Sequence, residues 1–410
     1  MPRSDSATRH KHLSAGRPVW LSHGRRPRIR HGALVSRLEP DVVVIGSGIS
    51  GALIADALAT AGKRVAVLDR RPPLNGSTAA STALLQFELD IPLSKIAPRI
   101  GQARAMRAWW RSVQGVDHLR SRISDLAIDC DFQERSSVYL PGDVLDLDGL
   151  KDEAEMRRRA GLRSTMIDRK ELRRLTGIDR PGALLSQGTA EADPVKLAAG
   201  LWRANWARGV RLYTPVQVDD VVSFSDHVRI KTDTGRTLRA GAAVFATGYE
   251  LAKFIRPKGY RVSSTWAYAT RAQRSALWPS RCLIWEAADP YLYVRSDAAG
   301  RVIVGGEDEA FSDEAARDRL LPQKVAAIRR KLERLMPRID ATPVHAWCGS
   351  FGASATSLPL IGAIPRHRHC YAVLGFGGNG FTFSAIAAQI LQRTLCGVKD
   401  PDADLFALGG

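Results

Sequence analysis

Ten residues constrain this chain more than any others: Val42-Val43-Val44-Ile45-Gly46-Ser47-Gly48-Ile49-Ser50-Gly51. Four consecutive branched or long apolar residues predict a strand buried on both faces, as in a parallel sheet. The run stops at three glycines in GxGxxG spacing. Residues 52–61 then predict a helix, with Leu53, Ile54, Leu58 and Ala61 on one side. A second strand is expected over Arg64–Leu68, and Asp69 closes it 18 positions past Gly51. Strand, glycine turn, helix and strand with a terminal acid form the unit that binds a dinucleotide. Gly46 suits the tight turn, Gly48 lets backbone amides approach a pyrophosphate, and Gly51 lets the helix pack close to the strand. The helix N-terminus, with Ile49 and Ser50, supplies positive potential to the phosphates. Asp69 suits the adenosine ribose hydroxyls and repels a 2′-phosphate, and Arg70 follows it as a further cofactor contact.

The glycine turn alone does not choose between FAD and NAD. Three later segments bear on that choice. Residues 76–82 cluster small hydroxyl residues, among them Ser77, Thr78, Ser81 and Thr82, suited to capping a helix that faces a second phosphate or an isoalloxazine ring. An apolar strand ends in Ala246-Thr247-Gly248. Near the C-terminus, "GFGGNGFTFS" supplies Gly375, Gly377, Gly378, Asn379, Gly380, Phe381 and Thr382 ahead of a helix with Ile386, Ile390, Leu391 and Leu395 on one stripe. A nicotinamide fold has no use for this second, distant glycine turn, whereas a flat flavin ring needs a close backbone.

Composition sets the outer bounds. The 410 residues provide core for two or three domains, and 45% apolar with 25% charged residues is ordinary for a soluble globular protein. No apolar run reaches bilayer-spanning length. The net charge of +18 comes from dispersed arginines without a nucleic-acid-reading motif, so the positive field better suits an acidic cofactor or small molecule than a nucleic acid. Five scattered cysteines with no CxxC indicate neither a disulfide framework nor a zinc site. A reducing cytoplasm fits them. No metal-ligand pattern stands out, and His367, His369 and Cys370 read as a solvated turn before a strand. Residues 1–38 form a basic, acid-poor extension with some transit-peptide character. Pro18-Val19-Trp20 suggests an arm that docks on the body, and residues 1–16 are either docked or disordered.

Taken together, these segments resemble the FAD-dependent amino acid and amine oxidoreductases, the family of D-amino acid oxidase, glycine oxidase and sarcosine oxidase. The resemblance rests on "VVVIGSGISG" with Asp69, "GSTAASTALL", "DPVKLAAGLWRANWARGVRLYTPVQV", "AAVFATG", "RVIVGGEDE", "LPLIG" and "GFGGNGFTFS", in the family's order from about residue 39 onward. It implies an α/β architecture: a Rossmann-like FAD-binding domain interleaved with an α+β substrate domain built on an antiparallel sheet. Residues 39–100, 190–252 and 346–410 are expected in the first, and residues 101–189 and 253–345 in the second. Asp193-Pro194 independently reads as the cap and first residue of a helix. Residues 150–176 read as a charged, surface-type helical region. In the family, the strand containing Val218 runs beside the adenine.

The implied reaction takes a hydride from the carbon beside an amine nitrogen and delivers it to flavin N5, leaving an imine that hydrolyses. The substrate is then a small amine or amino acid. A carboxylate-bearing substrate needs a cation. Alternation places Tyr291, Tyr293 and Arg295 on one strand face, making Arg295 the expected clamp and Tyr293 its neighbour. Some oxidases of the family carry a lysine near flavin N5. Val302-Ile303-Val304 has none, which favours a dehydrogenase over an oxygen-using oxidase and leaves the electron acceptor open. In the sarcosine-oxidase branch a cysteine near the place of Cys348 bonds the flavin covalently. Residues 76–84 lack the accompanying charges, so FAD held without a covalent bond is expected. Alternatives are a covalent-flavin oxidase using Cys348 and a FAD-binding subunit of a larger dehydrogenase.

Overall fold

The computed structural model describes residues 6–22, 26–34 and 38–408. The branched run forms the strand Val42–Ile45, buried throughout. It lies within a six-stranded sheet ordered Leu360–Ala363, Cys370–Leu374, Ala242–Phe245, Val42–Ile45, Val65–Leu68, Arg211–Tyr213. Five of these strands run parallel, and Leu360–Ala363 is antiparallel to its neighbour. Val42 and Val44 face a core shared with the helices Ile49–Thr60, Pro194–Ala207 and Gly380–Leu395. Val43 and Ile45 face the opposite core, shared with a three-stranded sheet made from Val218–Ser223, Val228–Thr232 and Thr237–Ala240. Burial on both faces is what the unbroken apolar run required.

A ten-stranded sheet makes up the rest. Its order is Ser14–Gly16, His345–Ala353, Arg261–Ala269, Val302–Glu309, Leu292–Ser296, Leu283–Glu286, Gln133–Leu140, Gly182–Glu191 and Leu84–Leu85, with Ser164–Asp168 beside Gly182–Glu191. The pairings are antiparallel except that between Leu283–Glu286 and Gln133–Leu140, which is parallel. The helix Glu314–Leu335 packs on this sheet, with Ile328 and Leu332 in one core with Trp266, Tyr268, Val294 and Val304. The strand His345–Ala353 belongs to this larger sheet, so the last segment of the chain joins the six-stranded sheet at Leu360. Among the described residues no helix is long and apolar enough to cross a membrane.

One expectation is corrected. Residues 150–176 are not a continuous helical surface: helix Leu147–Arg159 ends at Ala160-Gly161, strand Ser164–Asp168 pairs with Gly182–Glu191, and helix Arg169–Thr176 follows under an Asp168 cap. Glu153 and Arg157 of the first helix are fully buried, because Glu153 accepts from the Leu93 and Ser94 amides and from Arg157. The N-terminal extension docks on the body, as Pro18-Val19-Trp20 suggests. Its described residues from Ser6 to Ser22 are docked: Ser14–Gly16 pairs with Trp347–Gly349, and Val19 and Trp20 are buried.

Candidate cofactor and substrate site

A single cavity of about 610 Å³ reaches from the glycine turn of the six-stranded sheet to a face of the ten-stranded sheet. That size is typical of a small-molecule site, roughly 300–1,000 Å³. At the first end it is lined by Gly46, Gly48, Ile49 and Ser50. Gly51 lies behind them, where a Cβ would meet the Gly46 carbonyl oxygen at 1.9 Å, so a side chain there would push the helix off the turn. Trp202 Nε1 donates to the Ser47 carbonyl at 3.1 Å and steadies the turn from the next helix. The Thr78 hydroxyl accepts from the Ile49 amide at 3.0 Å, which ties the hydroxyl-rich loop to the helix start. Ser77, Ser81 and Thr82 of that loop also line the cavity, as do Val218, Ala246, Thr247 and Gly248.

Asp69 faces the cavity at the end of its strand and accepts from the Ser47 amide and the Arg71 amide, at 2.7 and 2.8 Å. Arg71 forms a two-pronged pair with Glu250, both contacts 2.6 Å. Arg70 is different. It lines the cavity, its Nη1 is buried without a partner, and burial lowers its pKa despite Glu250 nearby. A buried, unpaired guanidinium nitrogen suits an anionic ligand. The helix Gly380–Leu395 brings a second N-terminus to the same cavity through Asn379, Gly380 and Phe381, and Ser50 and Ser384 join the two helices by a 2.7 Å hydrogen bond. Two helix N-termini facing one space concentrate positive potential there. The docked arm adds Thr8 and Leu13 to the walls, and Ala7 donates to the Val218 carbonyl at 2.9 Å.

The other end is built by the large sheet. Tyr139, Trp285 and Tyr293 stand in register on neighbouring strands. Tyr139 stacks on Trp285 with ring centroids 3.8 Å apart. Tyr293 lies across Gly305, where a Cβ would meet its hydroxyl oxygen at 2.2 Å. Tyr249, Tyr291, Thr265, Asp90 and Asp308 complete this end. Asp90 accepts from the Gly378 amide at 2.9 Å, and the surrounding protein raises its pKa although the carboxylate faces the open cavity. Asp308 is pushed up to about 6 by burial above all, with Asp90 and Asp289 adding to the rise. The Thr265 and Tyr291 hydroxyls are close enough to oppose that rise, yet neither carboxylate oxygen has a well-formed hydrogen bond.

Besides Gly51, four expected site residues do not line this cavity. Arg295 shares a strand face with Tyr293, but the loop through Ala83 closes the cavity before reaching it. The guanidinium is buried there, donates to the Ala83 carbonyl at 2.9 Å and lies over the Trp20 ring. Cys348 points to the opposite side of its strand from the cavity-lining Gly349. Its sulfur contacts Asp318 at 3.3 Å, and burial pushes the thiol up to about 11. Thr382 turns its hydroxyl to the Gln86 carbonyl at 2.7 Å, and Gly375 packs against Ser354. Sequence reasoning passed over Asp90 and Asp308. The available signal was "VIVGGEDE", an apolar strand that turns acidic where it leaves the core.

Residues 41–394 match the family model described as FAD dependent oxidoreductase. The glycine oxidase of Geobacillus kaustophilus is 24% identical over 367 residues, covering 86% of this chain and 91% of that protein. The probable oxidoreductase OrdL of Haemophilus influenzae is 23% identical over 370 residues, covering 87% of this chain and 83% of that protein. A crystal structure of the Geobacillus kaustophilus glycine oxidase aligns with a TM-score of 0.77 at 20% identity, over 91% of this chain and 99% of that one. The L-proline dehydrogenase of P. horikoshii aligns with a TM-score of 0.76 at 17% identity, over 91% and 97% of the two chains. With its glycine turn, two convergent helix N-termini and a family match over most of its length, this chain is an enzyme that belongs to the FAD-dependent oxidoreductases.

Proposed function

We propose that this enzyme oxidises the C–N bond of a small amine. The observation that carries the reading is the single cavity joining the dinucleotide-type turn to a sheet face of tyrosines and carboxylates. The residues present fit FAD: the Gly46–Ser50 turn and the unpaired Arg70 nitrogen suit the phosphates, Asp69 the ribose, and the Gly380 helix start an anionic ring edge. When bound, FAD supplies a two-electron acceptor for the hydrogen leaving the substrate carbon, so that C–N becomes C=N and water later splits the imine to a carbonyl compound and an amine. The chain's own work is orientation and proton handling. An ammonium must lose a proton before its carbon can give up hydrogen, and we assign that proton to the cavity-lining Asp308 carboxylate, ionised above about pH 6. Tyr293 and Trp285 line the substrate end of the cavity.

FAD is held without a covalent bond in this reading, since Cys348 faces Asp318. Electrons leave to an acceptor other than oxygen. Arg70 and Arg71, at the nucleotide end, are the basic residues of the lining, and no lysine stands among the substrate-side groups. The deciding experiment mixes the oxidised holoenzyme anaerobically with a panel of amines and amino acids and follows the flavin absorbance. Bleaching by an amine or amino acid supports the reading. Absence of bleaching across the panel overturns it.

A further inference from the structure

The substrate half of the cavity holds carboxylates and lacks cations. Asp90, Asp289 and Asp308 line it, and no Arg, Lys or His does so among the described residues. Two further carboxylates there are already answered. Glu88 accepts from Ser137 at 2.5 Å and faces Arg157 at 3.4 Å, and Glu286 faces Arg180 at 3.9 Å. Asp308 is answered by no cation of the lining: both of its oxygens are buried without a well-formed hydrogen bond, and the groups beside it are the neutral Thr265 and Tyr291 hydroxyls. Asp90 and Asp289 are near enough to repel its charge. A fold that keeps such a group keeps an unfavourable charge, and an incoming cation would relieve it.

The walls match the same ligand. Tyr291 and Tyr293 stand with ring centroids 5.9 Å apart, and the Tyr139–Trp285 stack lies one strand further along. Aromatic faces attract ammonium groups, most strongly where water is displaced. A substrate carboxylate would meet like charge and find no partner, because Arg295 is sealed behind the Ala83 loop.

We propose, building on the reading of this site as an amine-oxidising one, that its substrate is an alkyl diamine or another amine with a second cationic group, and not an α-amino acid. Asp308 and Asp90 receive one ammonium beside Tyr291. Asp289, exposed at the rim, receives the other.

The test uses the FAD-loaded enzyme under anaerobic conditions and a series of alkyl diamines of increasing length. Each is paired with the monoamine and the α-amino acid of equal length. The best diamine should reduce the flavin with a rate constant over Kd at least about tenfold above its monoamine, and further above its amino acid, as the loss of a charge-assisted contact predicts. Binding is read separately with a bis-quaternary ammonium alkane, which cannot form an imine. Its Kd by calorimetry should weaken at least about tenfold in Asp308→Asn, with flavin content and melting temperature reporting that the variant is folded. If amino acids bleach the flavin and diamines do not, the amine-oxidation reading stands and this inference falls. If neither class does, both fall. An unchanged Kd for the quaternary probe in Asp308→Asn also overturns the inference.

Discussion

Asp69 Oδ2 accepts two hydrogen bonds from Ser47, one from its amide and one from its hydroxyl, each 2.7 Å. The acid at the end of the second strand therefore shapes the glycine turn at the end of the first, while still facing the cavity. Asp69→Ala removes both bonds and the acceptor intended for ribose. Charge-assisted bonds contribute roughly 1.5–3 kcal/mol each, so FAD affinity should fall at least about tenfold. Asp69→Asn, which keeps one acceptor, should fall between. Titration of apoprotein with FAD checks the order, and an unchanged Kd in Asp69→Ala would show that the ribose lies elsewhere.

Cys348 has its thiol pushed up to about 11, first by burial and with Asp318 adding to the rise, so almost none of it is thiolate at neutral pH. A covalent bond to flavin needs the thiolate against the ring. Acid precipitation of the holoprotein should leave a yellow supernatant and a colourless pellet. A yellow pellet that becomes colourless in Cys348→Ala would reverse the assignment.

Glu153 and Arg157 form a fully buried pair 2.7 Å apart. Burial alone would raise the Glu153 carboxyl, but Arg157 and the Ser94 amide outweigh it and hold the carboxyl below its usual range. A depressed carboxyl contributes stability above its unfolded pKa and loses it as pH falls through the folded value. Glu153→Gln leaves Arg157 with a buried charge that Glu88 compensates in part, at a cost of about 3–5 kcal/mol for a broken buried pair. Denaturant melts at neutral pH should show this loss, and it should shrink on acidification below the usual glutamate range. Equal stability of the two proteins at neutral pH would refute the argument.

Asp308 has the opposite sign. Its carboxyl is raised to about 6, so the folded state binds that proton more tightly than the unfolded chain. Stability from this group is complete below the unfolded pKa and is lost as pH rises to about 6. In the apoprotein, Asp308→Asn should therefore raise the melting temperature at pH above about 7, with little effect near pH 4, in keeping with an upper bound of about 3 kcal/mol for the shift. A variant less stable than wild type at neutral pH would mean that a protein group, unseen in these contacts, neutralises Asp308.

The dinucleotide end was legible because its chemistry is local. The strand, turn, helix and acid follow one another within the 28 residues from Val42 to Asp69, and the Asp193 side chain caps its helix as Asp-Pro implied. The substrate end was less legible because it is assembled from strands distant in sequence. Alternation correctly put Tyr293 and Arg295 on one face, but alternation cannot tell where a loop from residues 81–83 seals that face. For the same reason Cys348 was near the right place and on the wrong side of its strand. Glu153 and Arg157, spaced four apart among charged neighbours, look like an exposed helical pair. Their burial depends on Trp109 and on two amides of another helix, Leu93 and Ser94. The carboxylates of Asp90 and Asp308 carry no motif, and their meaning comes only from what is missing around them.

The short strand Ser14–Gly16 has a consequence for the order in which this protein can be completed. Ala15 pairs with Cys348, so a segment synthesised early waits for one synthesised late. Until residues 345–353 emerge, the arm has no sheet edge to join. Once both are present, the arm covers the unpaired edge of the strand His345–Ala353, which would otherwise be a template for other chains. A ribosome that stalls before residue 345 leaves the arm adrift, and a chain shortened ahead of residue 17 leaves that edge bare. Two segments far apart in sequence thus close one sheet edge through a single pair of strands.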